Sequence, residues 1–286
     1  MALERVDRTG QVIGSRYRLD RLIGRGAMAE VYQAADLQDN THVALKLLRG
    51  AHLTDRSAIA RFKREAEVQG RLRHRNVAAL LATGVTEYQE PYLIVELLRG
   101  KSLRGAIKAG AVEPVRAASY GWQALQGLAA VHSAGVLHRD LKPANIMLEA
   151  SPGPVERVVL IDFGFATFEG SAKLTAQGTV VGSLTYIAPE RLRGEATDHR
   201  ADLYGMGVIL FELLTGRPPF VAADDFDLID MHVNEDAPRL RTIAPTLPQA
   251  LDDVLARSLA KHSKDRYANA TEMANALEAA AQTISR

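Results

Sequence analysis

Residues 138–145 read His138-Arg139-Asp140-Leu141-Lys142-Pro143-Ala144-Asn145. Asp140 and Asn145 stand five residues apart, a spacing that suits a loop presenting one carboxylate as proton acceptor and one amide oxygen as metal ligand. A second carboxylate lies a short way downstream, where Val158-Val159-Leu160-Ile161 reads as an apolar strand ending in Asp162, followed by Phe163-Gly164. Magnesium takes oxygen ligands of this kind and leaves its remaining positions to water and phosphate. Taken singly, an Asp at a strand end is often only a turn or helix cap. It is the order of these residues that carries weight.

Around this loop the chain is helical. Pro114 to Ser133 has a helical pattern closing at Gly135, Ala201 to Leu214 is an apolar helix closing at Gly216, and two Ala/Leu-rich helices follow Pro248 and Asn269. Glu272 stands three residues after Asn269, a capping-box spacing that starts the last helix. Upstream the character changes. YRLDRLIG, EVYQAAD and HVALKLL are three β segments between Tyr17 and Leu48, separated by turns at Arg25-Gly26 and Asp39-Asn40. Ile59, Phe62, Ala66 and Leu72 repeat with a helical period, and two further apolar segments follow at Val77–Val85 and Tyr92–Leu98. The expected fold class is α+β and bilobal: a small β-rich lobe of five strands and one main helix, about 16–98, then a larger mainly helical lobe, about 99–280, with a cleft between. Residues 1–15 are expected as an N-terminal extension and 281–286 as a C-terminal end.

Three features of the small lobe bear on chemistry. Gly24-Arg25-Gly26-Ala27-Met28-Ala29-Glu30-Val31 places two glycines in a turn, where backbone N–H groups can approach phosphate oxygens, although alone such a turn is commonly a plain hairpin. Its strand-turn-strand setting excludes the strand-to-helix dinucleotide fingerprint. Lys46, by strand alternation, shares a face with Ala44, and Glu65 lies on the helical stripe of Phe62 and Ala66. An inward carboxylate needs a cationic partner, and Lys46 is the candidate.

Composition narrows the function classes. The 286 residues are 47% hydrophobic and 24% charged, an ordinary globular mix. Thirty-five Lys and Arg against 34 Asp and Glu leave a net charge of +1, so no global field draws nucleic acid or an anionic membrane. The absence of cysteine excludes disulfides, a thiolate nucleophile and Cys-based zinc sites. The first residues have no signal-peptide core and Tyr204–Leu214 is too short to span a bilayer, so a cytoplasmic location is expected, either as a separate protein or as the cytosolic part of a longer one.

Taken together, the glycine turn, Lys46, Glu65, His138–Asp140, Asp162-Phe163-Gly164 and Ala188-Pro189-Glu190 occur in the order of the protein-kinase signature set. The chain resembles a eukaryotic-type Ser/Thr protein kinase over about 16–277, with GAMAEVYQAAD and GSRYRLDRLIG similar to the bacterial branch, PASTA-kinase-like or cytosolic. The resemblance implies ATP with Mg²⁺, or Mn²⁺, as cofactors. Gly24–Val31 would cover the nucleotide, Lys46 would contact its α and β phosphates, and Glu65 would hold Lys46. Ile23, Val31, Ala44 and Met147 would sandwich adenine, with backbone from Glu96 to Leu98 bonding it. Asp140 would accept the substrate proton, Lys142 would steady the γ-phosphoryl, and Asn145 with Asp162 would hold the metal.

Gly182–Glu190 resembles the peptide-docking segment of the family, which implies protein substrates and disfavours a small-molecule kinase such as an aminoglycoside phosphotransferase. LKPAN implies Ser/Thr acceptors. Ser183 would link Asp140 and Lys142, Glu190 would pair with Arg266, and Asp202 would brace the loop. Arg139 implies a phosphate acceptor for the activation segment, with Thr175 and Thr179 as its modified residues. The rival reading is a pseudokinase scaffold, for which Lys46, Glu65, Asp140, Asn145 and Asp162 would have no chemical use.

Ala29 and Gln69 depart from the family pattern, and two basic clusters suggest partners. Ala29 replaces a glycine, and Gln69 replaces an apolar residue, which is expected to loosen the helix carrying Glu65. The basic run Arg56, Arg61, Lys63, Arg64, Arg71, Arg73 and Arg75 is either a solvated face or a docking surface for an acidic partner or a second kinase molecule. Lys101, Arg104 and Lys108 are either another solvated face or a preference for acidic substrates.

Overall fold

A six-stranded antiparallel sheet organises the first unit. In the computed structural model, which describes residues 7–26, 28–153, 155–162 and 184–284, the strands are β1 (Val12–Ile13), β2 (Tyr17–Arg25), β3 (Ala29–Asp36), β4 (Thr41–Leu48), β5 (Leu80–Val85) and β6 (Pro91–Glu96). Their order is β1-β2-β3-β4-β6-β5. Alternation along β2 to β4 sends Tyr17, Leu19, Tyr32, Ala34, Val43, Leu45 and Leu47 into one apolar cluster. Leu48, Phe62 and Leu93 form a second cluster beneath helix α1 (Arg56–Arg71). Asp55 caps that helix, its carboxylate accepting from Ser57 N at 2.8 Å.

Residues 8–13, read from sequence as part of an extension, are tied to this sheet. Leu19 N donates to Gln11 O at 2.8 Å, Ile13 is buried in the apolar cluster, and Arg8 reaches Glu90 at 2.8 Å. A two-residue strand is too short to show a period, and its pairing with β2 is set by tertiary contact. Hence the sheet has six strands where the pattern predicted five.

The chain divides into Met1–Arg73 with Ala78–Leu98, and His74–Val77 with Arg99–Arg286. The short crossing of His74–Val77 into the second unit splits the apolar segment read as Val77–Val85. Asn76 accounts for it: its Nδ2 donates to Val158 O at 2.7 Å, and its carbonyl accepts from Leu160 N at 2.9 Å.

In the second unit α5 (Arg200–Thr215) is apolar all round and buried along most of its length, as expected of a central core helix. It ends at Gly216, whose φ of 78° closes the last turn with an N–H bond to Glu212 O. Across it lies α3 (Pro114–Ser133), following the short α2 (Leu103–Ile107). A side chain at Gly121 of α3 would meet Leu210 Cδ2 at 2.5 Å, so glycine permits this close approach. The unit is completed by α4 (Pro189–Leu192), α6 (Asp225–Asn234), α7 (Leu240–Ile243), α8 (Gln249–Ser258) and α9 (Ala270–Ala281). Asn269 caps α9 by accepting from Glu272 N at 2.9 Å, while the Glu272 carboxylate takes Ala268 N at 2.6 Å, one residue earlier than a standard capping box. A three-stranded sheet of β7 (Gly100–Ser102), β8 (Ile146–Glu149) and β9 (Arg157–Leu160) runs in the order β7-β8-β9. The loop 138–145 therefore leads directly into β8.

Candidate active site

The first unit supplies a part-buried ion pair. Ala44 and Lys46 alternate onto one face of β4, and Glu65 follows Phe62 by three residues on the inner stripe of α1. Lys46 Nζ lies 2.6 Å from Glu65 Oε1, with the two side chains only 16% and 12% exposed. Partial burial strengthens such a pair and makes loss of either partner costly.

Gln69 corrects the expectation drawn from sequence. It is buried, and its Nε2 donates to Ala78 O at 3.0 Å, so the polar group ties α1 to the segment before β5. A buried amide with its donor satisfied anchors the helix, where the sequence reading had it loosening. Gly24, Arg25 and Glu30 close the β2–β3 hairpin: Gly24 pairs with Val31, and Arg25 Nε meets Glu30 Oε1 at 2.9 Å. The Glu30 carboxylate also accepts from the Tyr32 hydroxyl at 2.9 Å. A Cβ at Gly26 would come no closer than 3.5 Å to Ala29 O, so nothing in the turn itself demands glycine there. Ala27 lies outside the described residues. Ile23 is exposed, Val31 and Met28 are half-buried, and Ala29 and Ala44 are buried. At the far edge, Glu96 N donates to Ala79 O at 2.9 Å, and Leu98 closes the unit.

In the second unit the loop 138–145 is folded around Asp140. Lys142 Nζ lies 2.7 Å from Asp140 Oδ2, and Asn145 Nδ2 donates to both Asp140 O and Asp140 Oδ2 at 2.9 Å. With its amide hydrogens spent on Asp140, the side chain of Asn145 offers its oxygen elsewhere. Ile161 N bonds Asn145 O at 3.0 Å, where the β8–β9 hairpin opens, which brings the chain leading to Asp162 alongside Asn145. Asp162 is exposed with φ 51°. Met147 pairs with Ser102 on one side and Val159 on the other.

The loop is braced from α5. Asp202 Oδ2 accepts from His138 N at 2.8 Å, and Oδ1 accepts from Arg139 N at 3.0 Å. Near the end of α3, His132 Nε2 reaches the same Oδ2 at 2.8 Å. Burial works to raise the Asp202 carboxyl, but the His132 bond and the histidines around it outweigh that and hold it below its ordinary value. His138 is fully buried, and burial holds its imidazole below its ordinary value.

Two contacts were not legible from sequence. Arg191 Nη1 donates to Arg139 O at 2.5 Å. Arg104, read as a solvated or substrate-facing cation, is instead paired with Glu212 at 2.9 Å and donates to the Tyr186 hydroxyl, which itself donates to Glu212 at 2.7 Å. The signal for that cluster is weak, since the only hint is a carboxylate inside the apolar helix α5 that requires a partner. Glu190 and Arg266 form a two-point buried pair at 2.7 and 2.8 Å. Thr175, Thr179, Ser183 and Phe163-Gly164 lie outside the described residues.

The donor set of the second unit suits a divalent metal and phosphates: a carboxylate and an amide oxygen as hard ligands, with an ammonium beside the acceptor carboxylate. Among the described residues no group of three or more His, Cys, Asp or Glu is gathered that could hold a metal ion.

The β-rich unit thus carries a Lys–Glu pair, and the helical unit carries the loop around Asp140. The chain belongs to the protein kinase family: the family model described as Protein kinase domain matches residues 17–278. It is 37% identical over 273 residues to Probable serine/threonine-protein kinase PknB of Corynebacterium glutamicum, covering 92% of this chain and 42% of that protein. To Serine/threonine-protein kinase PknE of Mycobacterium tuberculosis it is 38% identical over 268 residues, covering 93% of this chain and 46% of that protein. The chain thus spans less than half the length of the curated relatives it matches. The crystal structure of the Mycobacterium tuberculosis PknI kinase domain aligns with a TM-score of 0.72 and 26% identity, covering 96% of this chain and 100% of that one. These relatives are bacterial. Among the described residues no helix is long and apolar enough to cross a membrane.

Proposed function

We propose that this chain is a Ser/Thr protein kinase, transferring the γ-phosphoryl group of ATP to hydroxyls of protein substrates, its own activation segment included. The observation that carries the reading is the Asp140 carboxylate, held between Lys142 and Asn145 on a loop whose backbone is braced by buried Asp202. In the reaction the substrate hydroxyl oxygen bonds to the γ-phosphorus as the bond from that phosphorus to the β–γ bridging oxygen breaks. The hydroxyl proton passes to Asp140, and ADP leaves. Lys142 neutralises charge at the transferred group, and Lys46, oriented by Glu65, binds the α and β phosphates. Asn145 and Asp162 would hold Mg²⁺, which supplies charge neutralisation at the β and γ phosphates. Ile23, Val31, Ala44 and Met147 take adenine, the backbone from Glu96 to Leu98 gives it hydrogen bonds, and the turn Gly24–Val31 covers the phosphates. Ser183 steadies Asp140 and Lys142. Phosphate on Thr175 or Thr179 pairs with Arg139. The setting is the cytoplasm, and the basic run on α1 and just after it serves contact with a second kinase molecule.

The test is phosphate incorporation from Mg-ATP by the wild type and by Asp140→Asn, with modified residues mapped by mass spectrometry. The expected result is labelling of the wild type only, at Thr175 or Thr179. Nucleotide binding without transfer, to itself or to a generic protein substrate, would overturn the reading in favour of a scaffold.

A further inference from the structure

Arg139 has φ 64°, in the left-handed region that residues with a Cβ rarely adopt. This conformation turns the chain so that Asp140, the next residue, projects as it does. A strained residue persists only where its surroundings over-determine it. Asp202 takes the N–H of the peptide before Arg139, and also the N–H of His138 one peptide earlier. The peptide after it, joining Arg139 to Asp140, is pinned at both polar ends: Asp140 N donates to His138 O at 2.8 Å, and Arg139 O accepts from Arg191 Nη1 at 2.5 Å. That peptide plane sets the direction of the Asp140 Cα–Cβ bond.

Arg191 is well placed to act as a clamp. It sits on α4, a single turn whose neighbouring residue Glu190 is bound two-fold by the buried Arg266, so the guanidinium is carried by an anchored element. It lines an open polar cavity together with Arg139, Asp140, Lys142 and Asp202. Burial lowers its basicity, while the carboxylates of Asp202, Asp140 and Glu190 act in the opposite sense. A half-buried guanidinium donating to a carbonyl is a charge-assisted bond, roughly twice as strong as a neutral one.

We propose that Arg191 is a positioning residue for phosphoryl transfer, clamping the carbonyl of Arg139 so that the left-handed residue holds Asp140 in its reactive orientation. The proposal rests on the kinase reading of Asp140. Arg191 touches no reacting atom. Its loss affects the transfer step and leaves nucleotide binding, which engages other residues, unchanged.

The experiment compares wild type, Arg191→Met and Arg191→Lys in steady-state transfer to a generic protein substrate, in binding of a fluorescent Mg-ATP analogue, and in amide hydrogen exchange across 136–146. Arg191→Met is expected to lower kcat by about 10²-fold, the scale of a misplaced catalytic group. KM for ATP and analogue affinity should stay within about two-fold, and exchange at 139–141 should accelerate. Arg191→Lys, which keeps a cationic donor, should recover about ten-fold of the loss, and it carries the test if the Met variant fails to fold. A kcat within two-fold of wild type in Arg191→Met, or a loss of kcat with exchange at 139–141 unchanged, would overturn the proposal. If the wild type transfers no phosphate, the kinase reading fails instead, and the exchange measurement still decides whether Arg191 holds the loop.

Discussion

Arg266 binds Glu190 through two parallel hydrogen bonds of 2.7 and 2.8 Å, and its side chain is fully buried. The same guanidinium donates to Ala260 O, Arg200 O and Lys261 O, so one side chain joins α4, α5 and the loop after α8. A buried pair of this kind is worth little against an apolar replacement of both partners, but breaking it by removing one leaves an uncompensated charge. Arg266→Met should therefore lower unfolding free energy by about 3–5 kcal/mol. The double variant with Glu190→Gln should recover part of that loss. Urea denaturation checks both, and a single-variant cost below about 1 kcal/mol would show that Glu190 finds other partners.

The Lys46–Glu65 pair separates catalysis from stability. Lys46→Met should reduce transfer by about 10²–10⁴-fold, the scale for loss of one electrostatic contact to the transferring phosphates, compounded by loss of orientation. Glu65→Gln should reduce it less, because an amide can still accept a bond from Lys46 Nζ. Turnover assays on both variants, alongside thermal melts, test this order. Equal losses would mean that Glu65 does more than orient the lysine.

Gln69 is the position where an apolar substitution looks harmless by family pattern and is expected to be costly. Gln69→Leu removes the donor to Ala78 O within a buried setting. An unsatisfied buried carbonyl costs about 1–3 kcal/mol. Chemical denaturation should show that loss, and local exchange should rise at 78–80. A stability equal to or above wild type would return Gln69 to the role of a misfit.

His232 gives the protein an acid-sensitive contact. Its ring is fully buried, within 2.8 Å of the Tyr204 hydroxyl and edge-on to Phe220 at 4.9 Å. Burial, and secondarily the Lys261 ammonium, push its pKa from 6.5 down to about 4. Between those values the unfolded chain binds the proton and the folded chain does not, so stability falls as pH falls through that window. Above about pH 6.5 both states are neutral and the contribution vanishes. The loss by pH 4 amounts to about 3 kcal/mol. Melting curves from pH 7 to 4 should show His232→Gln with a shallower pH dependence than wild type. Parallel curves would mean that the ring is solvated on protonation.

Local chemistry made much of this molecule legible from its residues alone. The three segments of β2, β3 and β4 alternate with period two, α1 and α3 repeat with a helical period, and Gly216 stops α5, so each element is written in its own sequence. The residues of the loop 138–145 and its neighbour Asp162 stood out because carboxylate, amide and ammonium at short spacings have few structural uses. Val12–Ile13 and His74–Val77 could not be read in this way. The first is too short for a period, and the second is drawn into the helical unit by Asn76 bonding to β9.

Sequence by itself thus determined the element types, the family and the inventory of charged groups, because periodicity, capping and motif order are properties of neighbours along the chain. Tertiary structure alone decided what each polar group is used for. Gln69 anchors a helix, Arg104 is spent on Glu212, and Arg191 meets a carbonyl 52 residues away. A buried donor or acceptor must be satisfied by whatever the fold brings within about 3 Å, and that partner is chosen by packing between distant segments.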